Sequence, residues 1–265
     1  MNYKMISSLK DIRKQLLHMH LETSHIASSL SSLEIIYELY SNILNIDSMD
    51  DQNRDRFILS KGHAVSALYC VLKSRGLLEY DVYDFTKNGS MLFSHPDRRT
   101  SKSIEISAGS LGHGLAIAVG MALAAKYNQL NYQVFVLMGD GECEEGSVWE
   151  AASIASRFKL NNLIVLIDSN GLQDSDYVNN IMPIKSFKNK WESFDWELAE
   201  CNNVSKELSK SILNRINDKP LAIIVHTIKG KGIKEIEQQI DSHRFIVPKE
   251  KIPQYTKDIE ELETI

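Results

Sequence analysis

Two short apolar runs bracket the most strongly patterned stretch of the chain. Val134-Phe135-Val136-Leu137 breaks at Gly139-Asp140-Gly141, and Leu163 to Ile167 ends at Asp168-Ser169-Asn170-Gly171. Between them Val148, Ala151, Ala152, Ala155 and Phe158 recur at helical spacing. Short apolar runs stopped by turn residues are buried strands. The stretch therefore predicts strand, acidic turn, helix, strand and polar turn, a βαβ unit. A parallel crossover carries both turns to the edge where the strands' C-terminal ends lie. Asp140 and Asn170, thirty positions apart, are expected to face one another there.

The same patterns extend on both sides. Met5 to Leu21 predicts an amphipathic helix, and Ser31 or Ser32 can cap a helix over Leu33–Leu44, with His25 in the loop before it. Phe57 to Leu59 predicts a buried strand, Gly62 a turn and Ala64–Lys73 a helix, which puts His63 at a helix N-terminus. His95-Pro96 forces extended backbone at His95. Ile104 to Ser107 leads into a glycine loop, Gly109-Ser110-Leu111-Gly112-His113-Gly114, and a helix over Leu115–Tyr127 rich in alanine. The glycine spacing does not match G-x-G-x-x-G, so a dinucleotide fingerprint is excluded. Further on, Val204–Asn217 predicts a helix and Leu221–His226 a strand, followed by Thr227-Ile228-Lys229-Gly230-Lys231-Gly232.

Composition changes the picture little. With 265 residues, the chain can fill one large α/β domain, and 43% hydrophobic and 25% charged residues are ordinary for a globular protein. A net charge of −5 argues against a nucleic-acid partner. Three cysteines, Cys70, Cys143 and Cys201, are odd in number and lack metal spacing, which fits a reducing cytoplasm. The first residues lack an apolar run, so no signal peptide is expected, and no stretch suits a membrane span.

The chemistry gathers at the predicted sheet edge. Asp140 and Asn170 offer hard oxygen ligands that suit Mg²⁺ or Ca²⁺ and not zinc. Mg²⁺ held by so few side chains usually completes its shell with substrate phosphates. Gly139 and Gly141 let backbone approach a bulky anion, and the helix starting near Gly146 offers free N–H groups. His63 at its helix N-terminus can donate to a phosphate. Taken alone, Gly-Asp-Gly is a common acidic turn.

The full spacing is more specific. GDGECEEGSVWEAASIASRFKLNNLIVLIDSNGLQ resembles the thiamine diphosphate motif as it occurs in the transketolase family, although here the motif ends Ser169-Asn170. Similar segments are S-H-I-A-S-S-L-S, D-R-F-I-L-S-K-G-H, S-H-P, G-S-L-G-H-G-L-A-I-A-V-G-M-A and H-T-I-K-G-K-G. The resemblance runs from about Met5 to Val247. It implies a three-layer α/β fold, a parallel sheet with helices on both faces, over residues 1–247, with residues 248–265 as a charged tail. It further implies thiamine diphosphate and a divalent metal held by Asp140, Asn170 and the carbonyl of Leu172. His63 would contact the diphosphate, and Gly109, Ser110 and Leu111 would clamp the cofactor rings beside Gly141 and Glu142. His25, His95 and His243 would serve the substrate, His243 also lying near the diphosphate. Glu145 would belong to an acid network at a subunit interface, supported by Glu150.

By the same resemblance a complete transketolase continues into a pyrimidine-binding domain, whose glutamate activates the cofactor, and that glutamate is not found here. The chain is thus expected to be the diphosphate-binding subunit of a split transketolase, active only with a second chain in an α2β2 assembly on sugar substrates. Two alternatives compete: the α subunit of a 2-oxo acid dehydrogenase, which shares G-D-G…N, and a cofactor-binding partner without catalysis.

Overall fold

A computed structural model describes residues 5–181, 187–215 and 218–262. In chain order the elements are α1 (Leu9–Met19), α2 (Ile26–Glu38), β1 (Arg56–Leu59), α3 (Val65–Ser74), α4 (His113–Tyr127), β2 (Val134–Gly139), α5 (Gly146–Arg157), β3 (Leu163–Ser169), α6 (Val178–Ile181), α7 (Phe187–Ser193), β4 (Glu197–Cys201), α8 (Val204–Leu213), β5 (Leu221–His226) and α9 (Ile252–Glu261). The strands form one sheet in the order β1-β2-β3-β5-β4, and each adjacent pair is parallel.

A parallel sheet covered on both faces needs apolar residues at successive positions, not alternate ones. The central strands meet that need, since Val134 to Met138 and Leu163 to Ile167 are buried throughout. Phe135, Leu137, Ile164, Leu166, Ile223 and Val225 point into a core shared with α1, α2, α3, α8 and α9. Val134, Val136, Met138, Val165, Ile167 and Ala222 point into the opposite core, filled by α4, α5, Trp191 and Trp196. The three layers expected from the sequence are therefore present.

Several sequence expectations change. The helix before β1 does not start at Leu33. It runs over Ile26–Glu38, and His25 is its N-cap residue at φ 76. Ser31 and Ser32 are buried inside that helix and donate to the Asp168 carboxylate at 2.7 and 3.0 Å. Serine favours caps because its hydroxyl seeks a partner; a buried carboxylate supplied one mid-helix. Ile104 to Ser107 form no strand. Phe158 caps α5 and is 52% exposed, while Val148, Ala151, Ala152 and Ala155 are buried. The helix expected to reach Asn217 ends at Leu213, and positions 216 and 217 lie outside the described residues. The segment expected as a tail contains α9, which packs along α1 and sinks Tyr255 and Ile259 into the core. Its N-terminal Ile252-Pro253 and its apolar stripe were hidden among charged neighbours.

Behind the α1–α2 turn, His20 is buried. Its Nδ1 lies 3.1 Å from the Thr23 carbonyl and Nε2 2.8 Å from Ser66 Oγ. The carbonyl can only accept, so Nδ1 carries the proton. Burial pushes the imidazole down from 6.5 to about 4. The unfolded chain therefore takes up this proton first as pH falls, and stability is lost from about pH 6.5 down to about pH 4. The loss is on the order of 3 kcal/mol. Urea unfolding of wild type and His20→Gln at pH 7.5 and 5 should show the stability difference between them shrinking at pH 5; a constant difference would count against a buried neutral imidazole.

Candidate functional site

Strand ends set the site. β1 delivers Ser60-Lys61-Gly62-His63, β2 delivers Gly139-Asp140, and β3 delivers Asn170. Because Gly139 pairs in register with Asp168, the two turns emerge side by side. The Asp140 carboxylate accepts from Gly171 N–H at 2.7 Å and from Gly141 N–H at 2.9 Å. Asn170 Oδ1 accepts from Leu172 N–H at 3.1 Å. These bonds fix both side chains at the sheet edge and leave each bonded oxygen a second lone pair.

A cleft of about 620 Å³ opens over this edge. Its lining includes His25, His63, His95 and His243, with Gly109 and Leu111, Gly139 to Glu142, Glu145 and Asn170. Two expected residues stand elsewhere. Ser110 is exposed and outside the lining, and Leu172 is buried beneath it. The lining also holds Ser28, Lys61, Gln173 and Asp174, none of which was expected from sequence. Lys61 could have been found, since it stands between β1 and His63 in S-K-G-H. Asp174 and Gln173 could not, because nothing in sequence tells which way a turn points them.

Glycines allow the loops to close on one another. A Cβ on Gly114 would lie 2.3 Å from Ser60 Oγ, so only glycine lets α4 start against the end of β1. Glu142 then ties three segments together. Its carboxylate accepts from Ser60 Oγ, from Gly112 N–H at 2.8 Å and from Gly139 N–H at 3.2 Å. That carboxylate braces the loops, whatever else it contacts.

Three imidazoles pack together, with ring centroids of His25 and His243 4.9 Å apart, His63 and His243 5.5 Å, and His25 and His63 5.7 Å. Burial holds all three below the usual histidine range, with His95 adding to it at His25, Lys61 and the neighbouring imidazoles at His63, which lies well below normal, and Lys229 and His25 at His243, which falls to about 4. Burial also lowers His95. At neutral pH each is uncharged and offers one donor and one acceptor. Lys229 Nζ lies 3.4 Å from His243 Nδ1, so Nδ1 accepts and Nε2 carries the hydrogen. His25 Nδ1 is buried without a hydrogen-bond partner.

The electrostatics favour an anion held over a cation. Lys61 and Lys229 are both buried, and burial with Lys61 nearby brings the Lys229 ammonium down to about 8. Lys61 forms an ion pair with Asp168, which has no exposure. Burial would raise Asp168, but Lys61, Thr227 and Ser31 outweigh it and hold the carboxyl below the usual range. Burial, reinforced by Asp168, pushes Asp140 up to about 6. The donor set fits the expected metal: one carboxylate, one amide oxygen and nearby carbonyls, hard oxygens only. Among the described residues no three His, Cys, Asp or Glu side chains group to hold an ion by themselves. Oxygens from a bound diphosphate would have to complete the shell. The carbonyls of Leu172 and Gln173 already accept from Lys229 Nζ at 3.4 and 2.9 Å, which shows the spot attracts positive charge.

Glu145 stands at the start of α5, exposed beside Gly112. Leu111 before α4, Ile117 and Tyr127 on α4, and Ile154 and Phe158 on and after α5 are exposed apolar side chains. None of the described helices is long and apolar enough to cross a membrane.

Comparison with known proteins adds independent findings. Residues 15–259 match the family described as transketolase, thiamine diphosphate binding domain. The chain is similar to one of the subunits of the apulose-4-phosphate transketolase of Phocaeicola vulgatus, 37% identical over 246 residues, covering 91% of this chain and 87% of that protein. It is 36% identical to the 6-deoxy-6-sulfo-D-fructose transketolase subunit SqwG of Clostridium sp., covering 87% and 86% of the two chains. Human transketolase is 36% identical over 241 residues, but only 38% of its length is covered. Among solved structures, Campylobacter jejuni transketolase superposes with a TM-score of 0.78 at 26% identity, over 96% of this chain and 43% of that one. The chain thus spans less than half of the solved transketolase it resembles.

Proposed function

The chain belongs to the transketolase family through its thiamine diphosphate binding domain, and on that premise we propose that it is the diphosphate-binding subunit of a two-chain transketolase. It transfers a two-carbon ketol unit between sugar phosphates, with a separate subunit supplying the pyrimidine-binding domain. The observation that carries this reading is the convergence of four uncharged imidazoles and the buried Lys61 on one cleft above Asp140 and Asn170, with Lys229 buried behind His243. Relatives that are themselves single transketolase subunits, matched over most of their length, support the two-chain form. An α2β2 assembly and a cytoplasmic location complete the proposal; three buried free cysteines favour a reducing compartment.

When bound, thiamine diphosphate supplies a stabilised acyl-anion equivalent. Asp140, Asn170 and the Leu172 carbonyl would hold Mg²⁺ or Ca²⁺, and Lys61 and His63 would face the diphosphate, with Lys229 holding His243 from behind. Gly109, Leu111, Gly141 and Glu142 line the cleft where the cofactor would lie, and Ser110 stands in the same glycine loop outside it. His25 and His95 offer donors and acceptors to sugar hydroxyls. Lys229 at Nδ1 leaves the hydrogen of His243 on Nε2, 3.8 Å from the Asp174 carboxylate, where a sugar hydroxyl would meet both. Glu145 would enter the interface with the partner subunit.

The 2-oxo acid dehydrogenase reading loses ground to the family match over residues 15–259. The assembled enzyme should cleave ketose phosphates and leave pyruvate untouched; decarboxylation of pyruvate without ketose cleavage would reverse the choice. Within the site, His63→Ala should mainly weaken cofactor binding, roughly 10-fold or more. His95→Ala should instead lower turnover or donor affinity by about 10²-fold. Calorimetry and steady-state kinetics separate the two, and a cofactor-only effect of both variants would remove His95 from the substrate's side.

A further inference from the structure

Asp168 has no exposure and does not line the cleft, yet four side chains from three segments converge on it. Ser31 and Ser32 donate from α2 at 2.7 and 3.0 Å. Thr227 donates from the turn after β5, and Lys61 pairs with it from the turn after β1. The Asp168 carbonyl accepts from Asp140 N–H at 3.3 Å. Lys61, Ser31 and Ser32 all meet Oδ2 and Thr227 meets Oδ1, while the Ser31 and Ser32 hydroxyls also lie 3.0 and 2.9 Å from the Ser28 carbonyl. A buried network with every member satisfied is rigid, and one left partly unsatisfied is costly.

Lys61 is the member that matters, because it alone of the four lines the cleft. An ammonium 2% exposed needs a partner to stay charged in place. Asp168 takes one of its three N–H groups and leaves two for the cleft. The serines and Thr227 have no route to a ligand; their effect is to stop the carboxylate from turning with the lysine. We propose that Asp168 is a positioning residue that aims the Lys61 ammonium at the cofactor's diphosphate, and that Ser31, Ser32 and Thr227 lock its orientation. The inference rests on the thiamine diphosphate reading of the cleft.

A double-mutant cycle on the assembled two-chain enzyme tests it. Thiamine diphosphate affinity is measured with Mg²⁺ by calorimetry for wild type, Asp168→Asn, Lys61→Met and the double variant. Asp168→Asn should weaken binding roughly 10-fold when Lys61 is present and less than about 2-fold on the Lys61→Met background. An equal loss on both backgrounds would mean a merely structural role and overturn the proposal. If Asp168→Asn fails to fold, Thr227→Val keeps the charge and removes one lock. Its loss, roughly 2–3-fold, should likewise vanish without Lys61 and overturns the proposal if it persists. Asp140→Ala is the control. Unchanged affinity there would sink the cofactor reading itself, whereas lost affinity with an additive cycle would sink only the role of Asp168.

Discussion

Asp140→Ala should abolish Mg²⁺-dependent binding of thiamine diphosphate, a loss of ~100-fold or more in affinity. The expectation follows from how the carboxylate is held. Each oxygen accepts one backbone N–H, so the side chain cannot swing away and each oxygen keeps a lone pair for a cation. Its charge is poorly neutralised: burial comes first and Asp168 second in pushing the carboxyl up to about 6. A divalent cation would relieve that penalty, and a diphosphate would then find both the cation and the Lys61 ammonium. Alanine removes the only carboxylate expected to ligate the metal. Calorimetry of the assembled enzyme with and without Mg²⁺ checks this, and Trp149 offers a second probe. Its indole donates at 2.8 Å to the Cys143 carbonyl in the turn that follows Asp140, so its fluorescence should respond to cofactor in wild type only. Unchanged affinity in the variant would take the metal site out of this edge of the sheet.

The purified chain should show no ketol transfer at saturating cofactor and Mg²⁺, and adding the partner chain should restore it at about one to one. The cleft presents imidazoles, Lys61 and the Asp140–Asn170 edge, but its carboxylates are accounted for. Glu142 is spent on bracing three loops, Asp168 is buried and paired with Lys61, and Glu144 bonds to Gln173 at 2.7 Å. Asp174 is paired with Arg244. Glu145 is exposed at the start of α5, and α4 and α5, which pack together, leave Ile117, Tyr127, Ile154 and the C-cap Phe158 exposed. Apolar side chains left exposed in number mark surfaces that another chain covers. The acid that activates the cofactor is therefore expected from the partner. Size-exclusion chromatography and a coupled assay give the test; robust turnover by the single chain would refute the two-chain reading.

The family resemblance carried the layering of helices on both faces, and the sequence pattern by itself determined the central βαβ unit and its buried strands. Those are local matters. Apolar runs stopped by glycine and aspartate admit one structure, and parallel crossovers bring the strand ends to one edge. The motif residues Asp140, Asn170 and His63 were legible for the same reason, since each stands one or a few positions past a strand. Only the tertiary structure decided the rest. Ser31 and Ser32 looked like caps because a serine's usual partner is local backbone; their partner is Asp168, more than a hundred positions away. Residues 248–265 looked like a tail because α9 has a narrow apolar stripe among charges, and only packing on α1 reveals it as core. Lys61 and Asp168 carry no sequence signal of their pairing. Burial turns an ordinary lysine and an ordinary aspartate into a fixed ammonium at the cleft wall, because a charge out of water must be paired where it stands.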